Sequence, residues 1–110
     1  MPKLPLPHVS TKLAVAAYAL AGTETIQERL IKAWEETFQR LSKADIPPEL
    51  VGHFEEIDSG FKLIRKQYEE EMPHCLLHMS DEEAIAIAET IILLALEFSK
   101  LLGIKSAQKY

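Results

Sequence analysis

The chain has 110 residues, 47% of them apolar, and carries seventeen Asp plus Glu against twelve Lys plus Arg, a formal charge of −5. That size suits a single domain, residues 1–110, with a small core, and the acidic balance repels phosphate backbones, so nucleic-acid binding is not expected. One cysteine excludes an internal disulfide framework and fits a reducing, cytoplasmic setting.

Residues 1–9 hold Pro2, Pro5 and Pro7, which predicts an extended, proline-rich arm. The arm lacks the apolar h-region of a secretory signal. Its PxxP spacing at Pro2 and Pro5 is too common a match to outweigh an arm that packs on the domain.

Ser10 to Ala21, STKLAVAAYALA, is alanine-rich and stops at Gly22, the pattern of a short helix with a small-residue face suited to a tight crossing. In the next helix, Thr23 to Ser42, Thr25 and Glu28 have capping-box spacing. Ile26, Leu30, Trp34, Phe38 and Leu41 recur on one face, so Trp34 is expected in the core. The opposite face is charged, with Glu28 to Lys32 and Glu36 to Arg40 in acid-first order.

The loop KADIPP leads to a third helix, and Pro48 or Pro47 suits its first turn. Leu50, Phe54, Ile57, Phe61, Ile64 and Tyr68 repeat with a period of about 3.5 residues and do not lose register at Gly60. One helix over Glu49 to Glu71 is therefore expected, with a break at Ser59-Gly60 as the alternative.

Pro73 ends that helix in this reading, and Ser80 with Glu83 opens the last one as a capping box. The last helix runs to Gly103, with residues 104–110 as a polar tail. Its apolar residues between Ala84 and Leu102 cover an arc of roughly 200°, about twice what a surface helix needs. Its longest strictly apolar run, Ile91 to Leu96, falls far short of the roughly 18 to 20 residues of a membrane span. So wide an arc calls for partners on two sides, either within a bundle or across a homodimer seam. Ile85, Ile92, Leu96 and Phe98 are the expected interface residues.

The segment between the third and last helices, MPHCLLHMSDEE, places Cys75 and His78 in C-x-x-H spacing with His74 four residues before His78. These three are the only candidate metal ligands. A structural zinc site takes two separated ligand pairs, and there is no second Cys/His pair. A linker whose Leu76, Leu77 and Met79 pack down while the histidines face water is the plainer reading. Glu71 to His74 matches the E-x-x-H of di-iron bundles, but Pro73 interrupts the turn and no second copy exists. Cys75 lacks the helix N-terminus that would activate a nucleophilic thiol. No phosphate-binding glycine loop or G-x-S-x-G occurs, so neither a catalytic residue nor a cofactor is expected.

Two stretches, Leu20 to Leu30 with Ile46 to Ile57 (LAGTETIQERL and IPPELVGHFEEI) and Met79 to Phe98 (MSDEEAIAIAETIILLALEF), resemble short uncharacterised bacterial all-helical proteins. The resemblance covers about two thirds of the chain and rests on caps and turns; it implies a bacterial, cytoplasmic, all-α protein and carries no active site.

The expectation is thus an all-α, four-helix bundle-like domain that forms a homodimer. Its function is read as a non-enzymatic interaction or regulatory module acting through helix surfaces. The alternative is a small-molecule or metal-binding bundle with a pocket lined by Trp34, Phe38, Phe54, Phe61 and Tyr68. A local basic stripe at Lys100, Lys105 and Lys109 is the remaining route to DNA.

Overall fold

A computed structural model describes residues 4–107; residues 1–3 and 108–110, and with them Pro2 and Lys109, lie outside the described residues. The fold is all-α, with five α-helices instead of four and no strand among the described residues. They are α1 (Leu6–Ala19), α2 (Ile26–Ala33), α3 (Val51–Tyr68), α4 (Met72–Leu77) and α5 (Asp81–Ala107).

Helix α1 begins four residues before Ser10, inside the segment expected to be extended. Pro5 is its N-cap, and Pro7 falls in the first turn, where a missing N–H costs nothing. His8 and Val9 N–H groups already donate to the Pro5 carbonyl. What pulls this turn into the helix is Val9, which is in phase with Leu13, Ala16 and Leu20; all four are buried. The arm is anchored further back, where the Leu4 N–H donates to buried Asp45 Oδ1 at 3.1 Å.

Helix α2 has its expected cap, the Glu28 N–H donating to Thr25 Oγ1 at 3.2 Å. It is regular only to Ala33, after which Trp34–Phe38 forms a π-helical turn closed by Gln39 N–H to the Trp34 carbonyl at 2.8 Å. The extra residue lets Thr37 and Phe38, neighbours in sequence, both be buried. Thr37 Oγ1 donates to the Lys12 carbonyl of α1 at 2.8 Å, while Phe38 stacks near Phe54 and Phe61 of α3, with ring centroids 6.4 and 5.9 Å away. The buried face of this segment is therefore Leu30, Ala33, Thr37, Phe38 and Leu41, and Trp34 is half-buried beside it instead of in the core. Lys32 pairs with Glu24 at 2.7 Å, not with Glu28.

A short 3-10 turn, Pro48–Leu50, leads into α3, which runs through Gly60 without a break. Leu50, Phe54, Ile57, Phe61 and Ile64 are all buried, as the 3.5-residue period requires. The helix ends at Glu69, which adopts a left-handed conformation (φ 52°). Pro73 is thus not its terminator. Pro73 sits in the first turn of α4, so the expected linker is a helix.

Helix α5 starts with the expected capping box, Ser80 N–H to Glu83 Oε1 and Glu83 N–H to Ser80 Oγ at 3.2 and 3.1 Å. It continues past Gly103 to Ala107, into the expected tail. At 1.5 Å per residue it is about 40 Å long, which accounts for most of the 49 Å longest extent of the molecule. It packs against α1, α2, α3 and the Pro48–Leu50 turn. The buried apolar side chains of all five helices form one cluster.

Gly60 lies where α3 meets α5: a Cβ there would stand 2.7 Å from Cδ1, the terminal methyl of Ile87, which would have to turn aside, whereas a Cβ on Gly52 would meet nothing within 4 Å. Gly52→Ala is therefore expected to stabilise the fold by up to about 1 kcal/mol. Gly60→Ala should lose that gain to the clash. Thermal melts of the two variants check this; equal gains would mean that the Ile87 side chain gives way to the added Cβ without cost.

Candidate functional site

On α5, Ala84, Ala88, Ile91, Leu94 and Phe98 are buried and hold the helix to the rest of the fold. Ile85, Ile92, Leu93 and Leu96 remain 44, 40, 42 and 57% exposed. At 100° per residue these four fall within about 100° of arc, away from the buried side. Three of the four expected interface residues, Ile85, Ile92 and Leu96, thus lie on an open surface. The fourth does not: Phe98 is 1% exposed. Its ring is a core element, because 98 is in phase with Ala84, Ile91 and Leu94 instead of with Leu96.

The segment with Cys75 and the two histidines does not form a converging ligand set. Cys75 is fully buried, and its Sγ donates to the Glu70 carbonyl at 3.4 Å. His74 is exposed. His78 stacks flat on Tyr68, with ring centroids 4.1 Å apart and planes at 10°, and its Nε2 lies 3.6 Å from Glu70 Oε2. The segment's apolar residues divide: Leu76 and Met79 pack down, but Leu77 is exposed. Helix α4 sets the positions of its own two, since Leu76 shares the inner side with Met72 and Cys75 and Leu77 lies about 100° further round. No group of three His, Cys, Asp or Glu side chains that could hold a metal occurs among the described residues.

The aromatic set is brought together in part. Trp34, Phe38, Phe54 and Phe61 line a surface cleft of about 180 Å³ between the π-turn and α3, joined by Met72 and rimmed by Asp58, Lys62 and Arg65. Tyr68 is elsewhere, under His78. Lys62 is already paired with Asp58 at 2.8 Å, which holds its ammonium pKa above the ordinary lysine value.

A larger groove, about 480 Å³, was not anticipated from the sequence. It runs between α1 and α2 over Thr11, Ala14, Val15, Tyr18 and Ala19, with Glu24, Lys32 and Glu36 on its far side. Helix α1 is therefore not enclosed by its crossing: Tyr18 is 85% exposed. The spacing of Thr11, Ala14, Val15 and Tyr18 on one side of α1 was a legible signal of an outward face, masked by the small size of the residues. Lys32 donates a hydrogen bond to Glu24, which keeps that carboxyl below its ordinary pKa and raises the lysine. The pair leaves no unpartnered buried charge on the groove.

No described helix is long and apolar enough to cross a membrane. Of the expected basic stripe, Lys100 contacts Glu97 at 3.5 Å on exposed helix surface; the side chain of Lys105 and all of Lys109 lie outside the described residues.

The division of α5 into a core side and an open side has a direct energetic consequence. Phe98→Ala is expected to cost about 3–5 kcal/mol, whereas Leu96→Ala, on the open side, should change the stability of the isolated chain by less than about 1 kcal/mol. Urea titration at a concentration where the chain is monomeric checks both values. Similar losses at the two positions would contradict the assignment.

Comparison of the chain with protein-family models, with curated proteins and with solved structures gives no match. The functional reading consequently rests on the residues and their placement.

Proposed function

We propose that the chain is a non-enzymatic interaction module, bacterial and cytoplasmic, that works through the outward face of α5 and uses that face to form a homodimer. The observation that carries this reading is the run of Ile85, Ile92, Leu93 and Leu96, each at least 40% exposed on one side of a helix whose other side is core. Exposed single leucines such as Leu63 and Leu77 need no explanation. A contiguous stripe of four large aliphatic side chains does, because apolar surface of this kind gains about 25 cal/mol per Å² when another surface covers it. A regulatory role follows naturally for such a module, since occupancy of one helix face can be set by concentration or by a competing partner.

In sedimentation velocity the wild-type chain should migrate as a dimer, and Leu96→Glu should migrate as a monomer with unchanged far-ultraviolet circular dichroism. A variant that sediments like the wild type would remove α5 as the working surface.

A second reading, a small-molecule-binding bundle, is favoured by one feature, the meeting of Trp34, Phe38, Phe54 and Phe61 at a single cleft. Trp34 is the chain's only tryptophan, so its fluorescence reports on occupancy directly. Titration with apolar aromatic carboxylates should give a saturable change that Phe54→Leu weakens; a flat response would dismiss this reading.

A further inference from the structure

We infer that the α5 face pairs with the same face of a second copy in an antiparallel, two-fold register, fixed by ion pairs between Glu89 of one subunit and Lys100 of the other. The inference rests on the self-association proposed above and adds its geometry. Both Glu89 and Lys100 are exposed, and both lie on the side of α5 that carries Ile85, Ile92, Leu93 and Leu96. They are eleven residues apart, three helical turns, so they project within about 20° of each other and some 16 Å apart along the axis.

Their midpoint, level with Leu94 and Ala95, falls within the exposed stripe, with Ile85, Ile92 and Leu93 on one side and Leu96 on the other. A two-fold axis crossing the helix there brings every residue opposite one equally far from the midpoint in the other direction. Glu89 then faces Lys100 of the second copy, twice over, and Leu93 faces Leu96.

The parallel arrangement fails on the same residues. In register, it sets Glu89 against Glu89 and Lys100 against Lys100, two like-charge contacts within the seam itself. Within one chain, Glu89 forms no ion pair with a described side chain, and Lys100 has only the long exposed contact to Glu97. An exposed pair of that kind contributes little and yields readily to a better-placed acid.

The test is a charge-reversal cycle read by sedimentation equilibrium at low salt. Both positions are on open helix surface, so the fold is not at stake. Glu89→Lys alone, or Lys100→Glu alone, puts like charges opposite each other at two places and should weaken dimerisation by about tenfold or more. The double variant Glu89→Lys/Lys100→Glu should return to within about threefold of the wild type. A double variant weaker than either single one would overturn the register, as would spontaneous disulfide crosslinking of an Ile85→Cys variant, because position 85 meets its own counterpart only in a parallel pair. A wild-type chain that is monomeric throughout would instead overturn the self-association itself, and the register with it.

Discussion

The packing of α5 is the constraint on which the rest of the molecule depends. It is the one helix in contact with α1, α2, α3 and the Pro48–Leu50 turn, so its inner surface must suit partners approaching from several directions. It does this with residues of graded size. Ala84 and Ala88 near its start, and Ala16 on α1, are buried without bulk, whereas Ile91, Leu94 and Phe98 fill the wider space beyond. Small side chains at a crossing permit close backbone approach, and large ones further along restore the packing density of an interior. Gly60 on α3 plays the same part against Ile87. The consequence is a helix whose core face is fully committed within the chain, leaving its remaining apolar residues nowhere to go but outward.

Around that helix, the N-terminal half is held by a few long-range polar contacts. Arg29 donates to the Leu20 carbonyl at 2.7 Å and the Glu24 carbonyl at 3.0 Å, placing a cation at the C-terminal end of α1, where free carbonyls need donors. Gln27 Nε2 donates to the Met79 carbonyl and Asp81 Oδ1, tying α2 to the start of α5. Buried Asp45 accepts from the Ser42 N–H and Oγ and from the Leu4 N–H. Among these groups Asp45 is the buried one, and leaving its carboxylate unsatisfied would cost about 1–3 kcal/mol. Together these contacts define how α1 and α2 seat on α5, and hence which part of α5 stays open.

Much of this was legible in the sequence where the signal is local. The Thr25 and Ser80 caps and the unbroken register of α3 through Gly60 follow from spacing alone. The rest was not, because it depends on contacts between distant residues. Pro5 and Pro7 argue locally for an extended arm, yet the burial of Val9 recruits them into the start of α1. The π-turn at Trp34–Phe38 exists because Thr37 reaches the Lys12 carbonyl while Phe38 reaches α3, and no i to i+4 pattern encodes that. Assigning Phe98 to the interface took a large ring near the stripe for part of it; helical phase puts it with Leu94 and Ile91. The α1–α2 groove escaped notice since alanines reveal little about which way they face.

Above all, the open side of α5 is proposed to be covered by a second copy of the chain. Native mass spectrometry of the untagged protein tests it most directly, because a single spectrum gives both subunit number and any bound mass. Self-association predicts a species of twice the 12.4 kDa chain mass with nothing added. A chain of single mass at every concentration, with or without a bound molecule, would contradict it.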